Sequence, residues 1–303
     1  MNSLAKRYSG GRGIVDVSLS VRAGSVTGFI GANGAGKSTT LKSIVGLSQP
    51  DSGSIELFGA PASFETRKRI GFLAEERGLA AGERARDAIA FHGRLKGLAR
   101  SDAYRRADAL LSRVGLGERT RAKVGELSKG NAQRVQILCA IVHEPALLIL
   151  DEPFSGLDPV SQAEVQSLFS DYRSRGGAIL FSTHSMAVAE RLCDDVVILA
   201  EGRTVFQGPV AAAAQHAAHG VYVTTDEAGP LQAIARELGG TAEPFSSRYG
   251  DALRWKVTLP TEVPYVALMR ALADHGVAIH GFEPMKADLE GAFWSLAGNR
   301  AAA

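Results

Sequence analysis

The stretch GANGAGKST, Gly31 to Thr39, decides how this chain is to be read. Before it, SVTGFI has the apolar character of a strand. After it, KSTTLKSIVGL has the spacing of a helix. A glycine-rich turn between strand and helix is an ordinary thing. Here, however, Gly31 and Gly36 are separated by four residues, and Lys37 and Ser38 follow at once. That is the spacing of a phosphate-binding loop, and the strand–loop–helix context is the one it requires. The glycines let consecutive backbone N–H groups wrap phosphate oxygens. Lys37 is then placed to reach the β- and γ-phosphates of a nucleoside triphosphate, and the Ser38 hydroxyl to ligate Mg²⁺. Gly31, Asn33, Gly34, Gly36, Lys37, Ser38 and Thr39 form the expected nucleotide-binding set.

Two further apolar runs end in polar chemistry. LLILDEP, from Leu147, is a short run of the buried parallel-strand kind. It closes with Asp151, placed to hold Mg²⁺ through water, and Glu152, a candidate general base for the water that attacks the γ-phosphate. An acidic turn before Pro153 would suffice as an explanation if the phosphate loop were not there. AILFST, from Ala178, is followed directly by His184. In a parallel sheet the carboxyl ends share one edge, so His184 falls within range of the γ-phosphate; a lone histidine is otherwise an unremarkable surface residue. FSGLDP puts Asp158 in a turn shortly after Glu152, and it is expected among the nucleotide-binding residues.

The rest of the chain sets bounds. Its 303 residues suggest one large domain, or one plus a small extra. A hydrophobic content of 45% and a charged content of 22% are those of a globular protein. The net charge of +2, without blocks of like charge, argues against an electrostatic nucleic-acid binder. Cys139 and Cys193 sit in apolar segments and read as buried thiols, and the seven histidines lack ligand spacing. There is no N-terminal signal pattern. The run VQILCAIV is broken by His143, Glu144 and Pro145, too soon to span a bilayer. These features predict a cytoplasmic protein that meets a membrane only through a partner.

Strand and helix patterns alternate, predicting an α/β fold with a mostly parallel sheet. From about residue 81 to 130 the pattern is helical, with Ser101 the expected cap of DAYRRADALLSRVGL. DDVVILAEGRTVFQG reads as a hairpin turning at Glu201-Gly202. The predicted organisation is a nucleotide-binding domain over 1–210, an alanine-rich connector over 211–220, and a small α+β domain over 221–298. A last helix is expected around Leu289 to Leu296.

The motifs together resemble the ATP-binding cassette (ABC) ATPases, over roughly Leu4 to Gly208. The phosphate loop alone is not specific to that family. The series GANGAGKST, LSKGNAQ, LLILDEP, SGLD and STH, in this order, is. LSKGNAQ, from Leu127, resembles the family signature LSGGQ at the start of an apolar helix. The resemblance implies an α/β P-loop cassette with a helical subdomain, ATP and Mg²⁺ as ligands, and an ATP-dependent head-to-tail dimer. In such a dimer Ser128 and Gly130 of one copy face the γ-phosphate of ATP held by the other. A helix N-terminus favours anions, and Gly130 admits close backbone approach. The resemblance also places Tyr8 where an aromatic residue stacks on adenine; a strand tyrosine is the alternative. Glu75 stands where the family has a Mg²⁺-ligating glutamine, and a shift of one residue would put Glu76 there. Lys129 replaces the first signature glycine and Asn131 the glutamine. Lys129 then either adds charge near phosphate or points to solvent. Only seven residues precede Tyr8, where the family has a full strand, so either the start is late or that edge strand is short.

The variant signature, AEERG and the terminal LEGAFWSLAG resemble the ATP-binding subunits of ABC-2-type exporters of sodium ions, drugs or lipids. The implied function is ATP hydrolysis that energises a separately encoded integral membrane permease, at the inner face of the membrane. The permease would touch the helical stretch from Ala81 to Gly125. One alternative is a soluble cassette ATPase of DNA repair or translation; those carry two cassettes, long coiled coils or zinc motifs. Another is a ligand-controlled switch, for which the C-terminal domain offers no convergent polar set.

Overall fold

The computed structural model describes residues 1–8, 13–75, 78–245 and 253–298. The chain divides into two compact units, Met1–Val210 and Ala211–Ala303. In chain order the first unit contains β1 (Asn2–Arg7), β2 (Gly13–Val17), β3 (Val26–Gly31), α1 (Lys37–Val45), β4 (Ser52–Ser54), β5 (Glu56–Leu57), β6 (Ala60–Pro61), α2 (Phe64–Lys68) and β7 (Ile70–Leu73). It continues with α3 (Ala85–Leu95), α4 (Arg100–Arg113), α5 (Lys129–Ile141), β8 (Leu147–Asp151), α6 (Pro159–Ser174), β9 (Ala178–Thr183), α7 (Met186–Leu192), β10 (Asp195–Ala200) and β11 (Arg203–Pro209).

The main sheet has nine strands in the order β4-β1-β2-β11-β10-β3-β9-β8-β7. From β10 to β7 every neighbour is parallel; β10–β11, β1–β2 and β1–β4 are antiparallel. The parallel centre is buried on both faces, which is why its strands read as continuous apolar runs. Alternate residues go to opposite cores. Leu148, Leu150, Ile179 and Phe181 join α3, α4, α5 and α6 on one side. Leu147, Ile149, Leu180 and Phe29 join α1, β1 and β2 on the other. All strand-to-helix connections that follow β3, β8 and β9 therefore emerge at one sheet edge.

Three local expectations need correction. β1 is a six-residue strand paired on both sides, not a short edge strand. Ser101 does not cap α4: the helix begins at Arg100 behind an extended Ala99, without a side-chain cap, and takes in both Arg100 and Ser101. The connector is only partly helical, with α8 (Val210–Ala214) covering its start. The hairpin turn has Glu201 and Gly202 both at positive φ, as a two-residue turn between twisted strands demands.

The second unit contains β12 (Gly220–Thr224), α9 (Ala228–Glu237), β13 (Thr241–Phe245), β14 (Arg254–Thr258), α10 (Tyr265–Asp274), β15 (Gly281–Pro284) and α11 (Leu289–Ala297). Its antiparallel order is β13-β14-β12-β15, the βαββαβ arrangement of ferredoxin-like folds. Val221, Val223, Trp255 and Val257 pack with Leu231, Ile234, Leu268 and Leu272 of α9 and α10. Among the described residues no helix is long and apolar enough to cross a membrane.

Candidate nucleotide site

At the edge where β3, β7 and β8 end, a cleft of about 480 Å³ is lined by Tyr8, Gly13, Ala32, Asn33, Gly34, Gly36, Lys37, Ser38, Thr39, Glu75, Asp151 and Glu152. The loop after β3 can take this shape only because of its glycines. Gly34 and Gly36 have φ of 82° and 107°, and a Cβ on Gly36 would stand 2.4 Å from Ile14. Gly31 lines no part of the cleft; a Cβ built on it would stand 2.8 Å from the Leu199 carbonyl oxygen, so only glycine fits at this end of β3. Gly36 caps α1 without any side-chain hydrogen bond, so the first N–H groups of the helix stay open. Lys37 is 7% exposed and donates to the carbonyls of Gly31 at 2.6 Å and Ala32 at 3.3 Å. Burial lowers its pKa from the ordinary lysine value, opposed by the carboxylates of Glu152, Asp151 and Glu75. One cation thus faces three carboxylates in one cleft.

Asp151 ends β8 at 2% exposure and accepts from the Ser182 hydroxyl at 2.5 Å. The same Ser182 oxygen accepts from the Glu152 backbone N–H at 2.9 Å. Ser182 stands opposite Asp151 on neighbouring β9 and so fixes both acidic residues, a role its place in STH did not by itself reveal. Glu152 has φ of 49°, a costly conformation for a side chain of this size. The backbone turns there, and the Glu152 carboxylate meets Nδ1 of His184 at 3.0 Å. His184 is largely exposed and reaches the cleft through that carboxylate. Glu75 lies two residues beyond β7, exposed at the rim; Glu76 lies outside the described residues. Tyr8 is 43% exposed just past β1, its hydroxyl bonded to Ser48 and its ring beneath the Lys6 ammonium at 5.8 Å.

Ser128, Gly130 and Asp158 do not line this cleft. Ser128 caps α5, its oxygen accepting from the Asn131 N–H at 3.2 Å. Asp158 caps α6, accepting from the Ser161 N–H at 3.0 Å and its hydroxyl at 2.8 Å, which holds the Asp158 carboxyl below the usual range. Gly130 lies beside Gly156 and Leu157. Asn131 is turned inward to Arg134, which also binds Glu164 and the Val114 carbonyl. Gln133, 8% exposed, donates to the Pro153 carbonyl and ties α5 to the loop after Glu152.

A buried lysine in a glycine loop, facing carboxylates at the ends of parallel strands, defines a P-loop nucleotide hydrolase. Its particular kind follows from its likenesses. Residues 14–155 match the sequence model of the ABC transporter family. The chain is 38% identical over 208 residues to an uncharacterised ABC transporter ATP-binding protein, YhaQ of Bacillus subtilis, covering 69% of this chain and 70% of that protein. It is 36% identical over 209 residues to the Nod factor export ATP-binding protein I of Burkholderia lata, covering 68% and 69%. A solved ATP-binding subunit of an ABC transporter superposes with a TM-score of 0.65 at 34% identity, over 70% of this chain and 90% of that one. The chain belongs to the ABC transporter ATP-binding protein family. It binds and hydrolyses ATP as the nucleotide-binding subunit of such a transporter.

Proposed function

We propose that two copies of this chain close head to tail on two ATP molecules and thereby drive an exporter whose membrane permease is a separate chain. The observation that carries the shared site is the segregation of its parts. The cleft holds the phosphate loop, Asp151 and Glu152, while Ser128 and Gly130 stand elsewhere at an exposed helix start of the same chain. Such a start, with open N–H groups, fits an anion presented by another chain. Export is supported by the likeness to a Nod factor export protein. Phe91 and Leu95, one turn apart on α3, are 50% and 65% exposed, and Phe64 on α2 is 75% exposed. Apolar groups of that size in solvent fit a surface that meets the permease. The chain then sits at the inner membrane face through that partner.

In this reading the Tyr8 ring stacks on the adenine. Asn33, Gly34, Gly36, Lys37 and Thr39 surround the phosphates. Glu152 accepts the proton of the attacking water, and the bond from the γ-phosphorus to the bridging oxygen breaks, releasing ADP and phosphate. His184 holds the Glu152 carboxylate in place. Ser38, Asp151 and Glu75 are hard oxygen donors on one cleft, a set suited to Mg²⁺. Mg²⁺ bound there would neutralise phosphate charge.

Mixed dimers test the shared site. Lys37→Ala destroys one chain's phosphate binding, and Ser128→Arg fills the place of the partner's γ-phosphate. Each is inactive as a homodimer. A mixed dimer pairs the intact cleft of the Ser128→Arg chain with the intact signature of the Lys37→Ala chain. Single-turnover hydrolysis returns on mixing if the site is shared. Subunit exchange without recovered hydrolysis or ATP-dependent dimerisation overturns it.

A further inference from the structure

Lys129 is the residue by which the signature departs most in charge from its family. It is exposed at the first helical position of α5, and the first turn holds no acidic residue. Among the described residues it makes no ion pair. A cation at a helix N-terminus opposes the helix dipole, so helix stability does not explain it. What the side chain does touch is Gly156. A Cβ built on Gly156 would stand 3.0 Å from Cε and 3.2 Å from Cδ of Lys129, so the lysine stem lies across the glycine α-carbon. Gly156 has φ of 73° and is exposed between Phe154 and Leu157, which are anchored in the core at 8% and 7% exposure. The loop is thus pinned at Phe154 and Leu157, and the stem covers the part between them.

We infer that Lys129 is a positioning residue for ATP hydrolysis, clamping the Ser155–Asp158 loop onto the start of α5 with its aliphatic stem. The inference rests on the shared-site reading. The Ser128 end of α5, which the partner chain would meet, and the loop ending at Asp158 are then presented as one surface. Long cationic side chains routinely pack their stems while the charged head stays in water. Gln133 ties the same two segments together on the inner side through the Pro153 carbonyl at 3.3 Å, and a Cβ built on Gly130 would stand 3.6 Å from the Gly156 carbonyl oxygen. Lys129 closes the outer side.

The test uses full-length Lys129→Ala, Lys129→Met and Lys129→Arg, each in a Glu152→Gln background that retains ATP. Light scattering gives the ATP concentration for half-maximal dimerisation, and a fluorescent ATP analogue gives the affinity of the chain's own cleft. Lys129→Ala is expected to raise the dimerisation midpoint about three- to tenfold with cleft affinity unmoved. Lys129→Met and Lys129→Arg rebuild the stem and return the midpoint to within about twofold of the parent. If Lys129→Met fails as badly as Lys129→Ala, the charge and not the stem matters, and the inference is overturned. It is also overturned if Lys129→Ala dimerises like the parent while Ser128→Arg does not. If Ser128→Arg dimerises normally, the shared-site reading falls and takes this inference with it.

Discussion

Two helices of the cassette begin with a small residue followed by lysine, and they end up in opposite circumstances. At the start of α1, Gly36 caps without a side-chain bond, and Lys37 is buried and folded onto loop carbonyls. At the start of α5, Ser128 caps through its hydroxyl, and Lys129 is exposed. The first start faces a cleft furnished by its own chain with Asp151, Glu152, Glu75 and Tyr8. The second faces none of these. The same electrostatic device, a helix N-terminus with open N–H donors, is complete in one place and half-built in the other. Placement relative to acidic strand ends decides which.

The largest break between the two is expected at Glu152. Glu152→Gln keeps the shape and the His184 contact distance but removes the proton acceptor. Steady-state hydrolysis should fall about a hundred- to ten-thousand-fold, the usual worth of general-base catalysis. ATP binding should persist, and gel filtration should show an ATP-stabilised dimer. Near-parental hydrolysis would remove Glu152 from its assigned role.

The next contrast sets the two helix starts directly against each other. Lys37→Ala should weaken ATP binding about ten- to a hundredfold, because a charge-assisted bond to phosphate is lost. Ser128→Arg should leave the affinity of its own cleft unmoved while abolishing turnover. Isothermal titration with a non-hydrolysed ATP analogue separates them. Equal losses of affinity in both variants would mean that α5 serves its own chain's nucleotide.

A smaller effect distinguishes the glycines. Gly36→Ala forces a left-handed backbone and a 2.4 Å approach to Ile14, so urea unfolding should show a loss of about 1–3 kcal/mol. Gly130→Ala meets only ordinary contacts at 3.6 Å and should change stability by less than about 0.5 kcal/mol. If Gly130→Ala is as destabilising as Gly36→Ala, α5's start is structurally constrained and its glycine needs no partner to explain it.

Much of this was legible in the sequence because local signals and the global fold agree. GANGAGKST starts at the end of a strand, LLILDEP carries a strand with its terminal carboxylates, and AILFST is a strand followed directly by His184; the parallel sheet gathers the three at one edge. What was not legible depends on neighbours far away in sequence. Ser182 lies 31 residues from Asp151, and its hydroxyl holds Asp151 and Glu152 only because β8 and β9 pair in that register. The pairing of His184 with Glu152 needs the positive φ at Glu152, which no composition rule announces for a glutamate. Asn131 replaces a glutamine of the signature, and its binding to Arg134 depends on the packing of α4, α5 and α6. β13 is hard to read from sequence because TAEPF contains a proline and only weak alternation; it stands as the edge strand of its sheet.

The smallest effect is expected where the two helix starts are both left intact. Every residue of the cleft lies between Tyr8 and Glu152, and both cores of the cassette are built from residues between Leu4 and Leu199. The C-terminal unit has a core of its own, from Val221 to Val277. The two sets share no residue, so removing one should leave the other's packing energy in place. The cut must spare β11, which runs to Pro209 and forms the antiparallel partner of β10. A chain ending at Val210 should therefore bind ATP within about twofold of the full chain and unfold in one cooperative step. Its α5 start should still respond to Ser128→Arg by losing ATP-dependent dimerisation. If instead affinity drops more than about tenfold while circular dichroism keeps its helical and strand signal, residues beyond Val210 belong to the nucleotide site. If affinity holds but dimerisation is lost, the second half of the comparison changes: the exposed start of α5 would need the C-terminal unit of one copy or the other to engage its partner.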